Sequence, residues 1–295
     1  MKVGFIGLGA MGKNMAKNLL KAKLDLVVTD PFEPAVKALT DLGARAAADA
    51  GQVAAEVDII CSSVPNSAIL KEVALGERGV LKHLKAGGLH IDFSSVEPAV
   101  VRDLAAKYKE KGCSIIDAPV SGGMSGAEAG TLTIMVGADD ADFAKATPIM
   151  EHIGSKITRI GGVGSGQSMK LDNNLRLGAN MVATAEALAL GAKLGLKAQV
   201  MYDTITQSSG RSYALESKGK NFILKGNFAP GFAVDLQYKD LELAVSAAKS
   251  MSVPLPMGTL AQQFFEIAKA KGWGREDISS IIKFFEEISQ VEVRE

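Results

Sequence analysis

The sequence predicts an α/β chain in two parts, a helix-covered parallel sheet followed by an all-helical region. Three observations carry this reading. Short apolar runs alternate with helix-length segments through the first half, the second half keeps helical spacing without strand alternation, and the glycine-rich stretch 161–166 lies between them. Strands joined by helix-length connections form βαβ units, which cover both faces of a parallel sheet.

In order, the apolar runs at 3–7, 24–29, 58–64, 89–93 and 114–120 are expected strands. Met11, Met15 and Leu19 are spaced for a helix over 10–20, and 33–42, 68–73 and 99–109 fill later gaps in the same way. Runs 131–136 and 156–160 add two strands and complete the sheet. Helical patterns follow at 167–194, 198–207, 236–251, 258–271 and 276–289, with Pro254 and Pro256 separating two of them. The expected domains are therefore 1–162 and 163–295, joined by a long helix. Its most apolar part, 175–196, contains Arg176, Glu186 and Lys193, so no uncharged run reaches the ~18 residues of a membrane span. A helix apolar nearly all round is expected at the buried centre of the helical part.

Composition narrows the function classes. With 47% apolar and 22% charged residues among 295, the chain can fill a core and is not disordered. Its 33 Lys and Arg balance 33 Asp and Glu, and no run of five basic residues occurs, which argues against a nucleic-acid partner. Cys61 and Cys113 lie in or beside apolar stretches and read as small buried hydrophobes in a reducing compartment. His83, His90 and His152 form no cluster with cysteines or carboxylates, so no metal site is expected. The fold begins at Val3, leaving no apolar leader ahead of it, and the expectation is a cytoplasmic protein with no membrane partner.

Gly7-Leu8-Gly9-Ala10-Met11-Gly12 reads G-x-G-x-x-G between an expected strand and an expected helix. Gly7 permits the tight turn, Gly9 lets backbone N–H groups approach a pyrophosphate, and Gly12 allows close helix–strand packing. The helix start offers unpaired donors to the anion. The first domain is therefore expected to be a Rossmann-type dinucleotide-binding domain. Asp30 ends the second strand, 18 residues after Gly12. Its carboxylate suits the ribose hydroxyls of NAD and repels the 2′-phosphate of NADP, and Pro31 and Phe32 bring no arginine to neutralise one. NAD is the expected cofactor, with NADP disfavoured.

Downstream, Lys170 and Asn174 share a helix face at i, i+4, with Asn173 close to it and Asp172 pointing elsewhere. They fall just past the domain boundary, where a cleft is expected. A dehydrogenase needs a group that exchanges a proton with the alcohol or carbonyl oxygen as hydride moves. No histidine follows position 152, and a lysine in a buried, dipolar setting can take that role.

The opening Gly4-Phe5-Ile6-Gly7-Leu8-Gly9-Ala10-Met11-Gly12 resembles the β-hydroxyacid dehydrogenase family. So do Asp117-Ala118-Pro119-Val120-Ser121-Gly122-Gly123, Gly130-Thr131-Leu132-Thr133, the element 164–174, Gly231-Phe232, Asp235-Leu236 and Lys239-Asp240, in that order along essentially the whole chain. The resemblance implies that Lys170 is the catalytic acid/base and that Asn174 hydrogen-bonds the substrate. It implies that Ser121, Gly122 and Gly123 hold the substrate carboxylate, and that Val64, Pro65, Ser95 and Lys239 line the cofactor. Phosphogluconate dehydrogenases share the lysine but carry histidine where this chain has Asn173. Imine reductases usually replace the lysine, and catalytically silent relatives lose it.

For substrate, the resemblance leads to a small 3-hydroxy acid and its semialdehyde. The N-terminal stretch and the closing Val291-Glu292-Val293 are similar to tartronate semialdehyde reductases, whereas the segment 208–214, with Asp235-Leu236-Gln237, is closer to 2-(hydroxymethyl)glutarate dehydrogenase, and these two are the leading substrate expectations. Activity on 3-hydroxyisobutyrate, glyoxylate or succinic semialdehyde is the alternative. Arg211 can reach a second carboxylate, since guanidinium binds such groups bidentately, or it can serve a surface or intersubunit ion pair. The helical half, about 130 residues around a long apolar helix, implies a homodimer or homotetramer.

Overall fold

The structure, a computed structural model, describes residues 2–295. The chain divides into two compact units, the first ending at Lys170 and the second running Leu171–Glu295. The first opens with β1 (Lys2–Ile6), α1 (Gly12–Lys21), β2 (Asp25–Thr29), α2 (Glu33–Thr40), β3 (Arg45–Ala46) and α3 (Ala50–Glu56). It continues through β4 (Ile59–Ser62), α4 (Ser67–Leu75), α5 (Val80–His83), β5 (Leu89–Asp92) and α6 (Pro98–Glu110). Then come β6 (Ser114–Asp117), β7 (Val120–Ser121), α7 (Gly123–Ala129), β8 (Leu132–Gly137), α8 (Asp140–Met150), β9 (Gly154–Gly161) and the start of α9 (Ser165–Lys193).

The sheet order is β3-β2-β1-β4-β5-β6-β8-β7, with β9 on β8, and the six strands β1 to β6 pair with one another in parallel. Alternate side chains feed two cores, as period-2 geometry requires. Val3, Phe5, Leu26, Val28, Ile59, Cys61 and Ile91 pack with Met15 and Leu19 of α1 on one face. Ile6, Val27, Ile60 and Ile115 pack with Val53, Leu70 and Leu104 on the other. The strand order reverses between β1 and β4, and ligands of such sheets gather outside the carboxyl ends of the strands at that point. Cys61 and Cys113 are both buried free thiols, and burial pushes the Cys61 thiol up.

Two expectations for the sheet need correction. The strand expected at 114–120 is split, because Pro119 has no N–H to continue the ladder, and Val120–Ser121 re-pairs with β8 instead. The sheet is also mixed: β8 runs antiparallel to β6, after a turn in which Gly122 (φ 134°) and Gly123 (φ 65°) take left-handed backbone. Helices α3 and α8 leave little periodic trace in the sequence. Each starts on an aspartate cap, Asp49 to Gln52 N and Asp139 to Asp142 N, but α3 is mostly Ala and Gly and α8 contains Pro148, so their apolar spacing is faint.

The second unit completes α9 and adds α10 (Ala198–Ile205), α11 (Tyr213–Lys218), a π-helical turn (Gly219–Ile223), α12 (Val234–Ser250), α13 (Pro256–Ala270), a 3₁₀ turn (Ile278–Ile281) and α14 (Ile282–Ser289). Met181, Ala185, Leu188, Leu241, Phe265 and Ile282 meet in its core. The helix expected at 276–289 begins as the 3₁₀ turn, because Asp277 accepts from both N and Oγ of Ser279. Nor is 175–196 buried all round: Met181, Val182 and Leu188 are covered, while Leu190 and Leu194 are 61% and 71% exposed. Among the described residues no helix is long and apolar enough to cross a membrane, and no group of His, Cys, Asp or Glu could hold a metal ion.

Candidate active site

The glycine turn sits between β1 and α1. A Cβ on Gly7 (φ 88°) would lie 2.3 Å from Ser63 O, and one on Gly12 would lie 2.0 Å from Gly7 O. These two positions exclude any side chain. At Gly9 a Cβ would meet nothing within 4 Å, so the turn leaves open room beside its backbone. No side chain caps the start of α1, whose first amides follow Ala10 and Met11. That combination fits a pyrophosphate, which needs close backbone approach and free N–H groups. Asp30 accepts from Leu8 N at 2.6 Å with one oxygen and from Phe32 N at 2.7 Å with the other. It fastens the turn to the end of β2, and each oxygen keeps capacity for a further donor.

A buried polar chain lies behind the ends of β4 and β5. Asp92 Oδ1 accepts from Ser62 Oγ (2.6 Å) and Ser94 Oγ (2.7 Å), and Ser94 Oγ in turn accepts from Val64 N (2.8 Å). His90 bridges Ser62 Oγ and Tyr108 Oη at 2.8 and 2.9 Å. This chain fixes the backbone at Val64, next to Pro65, and at Ser94, next to Ser95. Burial holds the His90 ring down to about 3 and pushes the Asp92 carboxyl up to about 6, against the pull of its two serine donors.

The two shifts oppose each other in stability. Neutral His90 contributes stability present above 6.5 and lost as pH falls toward 3, whereas Asp92 contributes stability present below 3.8 and lost as pH rises through 6. Removing the acid in Asp92→Asn should therefore unmask the histidine. The loss of unfolding free energy between pH 7 and pH 5 is expected to exceed the parent's by about 1 kcal/mol. Urea titrations of both proteins at the two pH values measure it; parallel pH profiles would contradict it.

The start of α9 converges on this region of the first unit. Asp117, fully buried at the end of β6, accepts from Gly164 N (2.6 Å) and Gln167 N (2.8 Å) and so caps the helix from another strand. Burial raises its carboxyl, while those two amides and the Arg102 charge pull the other way. One turn on, Lys170 is only 8% exposed, and its Nζ donates to Val120 O at 2.8 Å. The amine thus lies beside the backbone that leads directly into Ser121, Gly122 and Gly123. Ser121 and Gly122 are half-buried and Gly123 is exposed, with open space where its Cβ would be.

In the second unit Asn174 is 1% exposed. Its Oδ1 accepts from Asn173 Nδ2 (2.9 Å), its Nδ2 donates to the Asp240 carboxylate, and its backbone O accepts from Gln237 Nε2 (2.8 Å). Asp240 also pairs with Lys239 at 3.1 Å. Each end of the Asn174 amide retains one further bonding position. Arg211 is exposed, in the turn ahead of α11.

Asp92, Asp117, Gln167 and Asp240 were not singled out from the sequence as site residues. Asp117 lies in the same sequence motif as Ser121–Gly123, Gln167 in the same one as Lys170, and Asp240 adjoins Lys239. For Asp92 the signal was His90-Ile91-Asp92, polar side chains alternating inside a strand with both faces covered.

The family model described as the NAD binding domain of 6-phosphogluconate dehydrogenase matches residues 2–162. The one described as NAD-binding of NADP-dependent 3-hydroxyisobutyrate dehydrogenase matches 164–285. The chain is 51% identical to 2-(hydroxymethyl)glutarate dehydrogenase of Eubacterium barkeri, over 99% of this chain and 97% of that one. It is 38% identical to the mitochondrial 3-hydroxyisobutyrate dehydrogenase of Homo sapiens, covering 97% and 87% respectively. Among solved structures, 3-hydroxyisobutyrate dehydrogenase from Salmonella typhimurium superposes with a TM-score of 0.86 at 34% identity, covering 96% of this chain and 99% of that one. With the glycine turn, the buried lysine and both family models in register along one chain, this protein belongs to the β-hydroxyacid dehydrogenase family.

Proposed function

We propose that this NAD-dependent oxidoreductase interconverts a small 3-hydroxy acid and its semialdehyde, with 2-(hydroxymethyl)glutarate as the leading substrate. The observation that carries the chemistry is the amine of Lys170, buried and bonded to Val120 O next to Ser121-Gly122-Gly123. The 51% identity to a 2-(hydroxymethyl)glutarate dehydrogenase supports the substrate.

The residues divide the work as follows. Gly7, Leu8, Gly9, Ala10, Met11 and Gly12 hold the pyrophosphate on backbone donors, and Asp30 takes the ribose hydroxyls. Val64, Pro65, Ser95 and Lys239 line the nicotinamide half. Ser121 Oγ and the amides of Gly122 and Gly123 bind one substrate carboxylate, and Arg211 binds a second. NAD supplies a hydride acceptor when bound. Neutral Lys170 takes the hydroxyl proton at Nζ during oxidation and returns it during reduction. Asn174, one helical turn on, orients the substrate hydroxyl. Holding these partners in register supplies much of the rate. Residues 1–162 form the dinucleotide domain and 163–295 the helical domain, through which the protein associates as a homodimer or homotetramer. The exposed Leu190, Leu194, Val200 and Leu260 support that association. The two free thiols support a cytoplasmic setting.

A spectrophotometric screen tests this reading. The panel is 2-(hydroxymethyl)glutarate, tartronate semialdehyde, 3-hydroxyisobutyrate, glyoxylate and succinic semialdehyde, each with NAD(H) and NADP(H). The expected result is turnover of 2-(hydroxymethyl)glutarate with kcat/KM higher for NAD than for NADP. Turnover confined to the monocarboxylic members would remove the second-carboxylate role of Arg211, and no turnover of any member would reject the dehydrogenase assignment to this substrate class.

A further inference from the structure

Gln167 is fully buried in the first turn of α9, three residues before Lys170. Its side-chain amide is used at both ends: Nε2 donates to Ser94 O at 2.7 Å and Oε1 accepts from Val96 N at 3.1 Å. Those two backbone groups flank Ser95. A residue in a parallel ladder makes this same pair of bonds, one to the carbonyl before its partner and one to the amide after it. Gln167 thus acts as a one-residue strand that captures the Ser95 segment.

The other end of the capture is equally fixed. Asp117 holds Gln167 N, and Lys170 Nζ reaches Val120 O. Residues 167 and 170 lie on one helix face at i, i+3. One side chain grips the segment proposed to line the nicotinamide, and the other presents the amine proposed to carry the proton. We infer that Gln167 is a positioning residue for hydride transfer: it sets the spacing between the Ser95 segment and the Lys170 amine. This inference rests on the proposed roles of Lys170 and Ser95. A displacement of about 1 Å at such a spacing can cost about a hundredfold in rate with little change in binding.

The test uses the full-length protein as Gln167→Met, which keeps length and loses both bonds, and Gln167→Glu, which keeps an acceptor for Val96 N and loses the donor to Ser94 O. The readouts are kcat and KM for 2-(hydroxymethyl)glutarate, the primary isotope effect with deuterium on its hydroxymethyl carbon, and the dissociation constant and fluorescence lifetime of bound NADH. The expected result is a kcat at least tenfold lower per NADH-binding site, with the isotope effect no smaller than the parent's and KM and NADH affinity within about twofold. The lifetime of bound NADH should shorten as the nicotinamide loosens. Parent-like kcat and lifetime in both variants would overturn the inference, as would a loss of kcat explained wholly by fewer NADH-binding sites. If Gln167→Met does not fold, Gln167→Glu must still show the shortened lifetime, and its absence is decisive. Lys170→Ala, measured alongside, separates the two ideas. Retained turnover there rejects the proton-carrier role itself, whereas lost turnover with parent-like Gln167 variants rejects only the positioning role.

Discussion

Lys170→Ala is expected to lower kcat by about a hundredfold to ten-thousandfold, the range over which a positioned acid/base contributes. The reason lies in where the amine is held. At 8% exposure, with Nζ on Val120 O, it has little access to bulk water that could relay a proton in its place. Removing it leaves the alcohol proton without an acceptor as hydride departs. Glycine turn, Asp30 and the Val64 segment are untouched by the change, so NADH should still quench protein fluorescence with near-parent affinity. Stability should fall by about 1–3 kcal/mol, because Val120 O loses its donor in a buried setting. Lys170→Arg should not rescue turnover, because guanidinium stays protonated at any working pH and cannot accept the proton. Stopped-flow measurement of NADH formation at saturating cofactor distinguishes these effects. A Lys170→Ala protein within tenfold of the parent would remove the lysine from proton transfer and leave the buried amine a structural tie to β7.

What the sequence disclosed and what it hid follows from the range of the interactions. Gly7, Gly9 and Gly12 were legible because a missing Cβ is a local property, and the structure puts them to two uses: Gly7 and Gly12 exclude a side chain and Gly9 faces open room. Lys170 and Asn174 were legible as a pair because helical spacing alone puts them on one face. Their partners were not. Val120 lies 50 residues from Lys170, and Asp240 lies 66 residues from Asn174, so neither contact leaves a periodic trace. The same holds for Asp92 and His90, whose polarity inside a fully covered strand makes sense only once Ser62, Ser94 and Tyr108 are brought alongside. Where the apolar pattern failed it was for a local reason: alanine-rich α3 and proline-containing α8 carry too little apolar contrast to register. Fold class therefore rested on strands and glycines, while the supporting shell of the site depended on long-range pairings.

The second large effect is expected at Asp117, and it concerns how the helix bearing Lys170 is held. A helix start leaves N–H groups without intrahelical partners, and here two amides, those of Gly164 and Gln167, find a carboxylate on β6. The site is shaped for that carboxylate. A Cβ on Gly137 would sit 2.3 Å from Asp117 Oδ1 and one on Gly166 would sit 2.9 Å from Oδ2, so glycines make the room. Asp117→Ala empties the space and strands both amides in it, at a cost on the order of 1–3 kcal/mol for each buried donor left unpaired, or roughly 2–6 kcal/mol together. That is a large share of the 5–15 kcal/mol that typically holds a domain together, about which denaturant unfolding can report directly. Asp117→Asn should cost less, since it keeps one acceptor but turns an NH₂ group toward the other amide and gives up the favourable charge at the helix start. Because Gln167 and Lys170 follow within one turn, kcat should fall with stability in both variants and more steeply in alanine. If Asp117→Ala lost stability but kept parent kcat per folded molecule, the cap would be needed for folding alone, and the placement of Lys170 would have to come from Gln167 and Val120 without it.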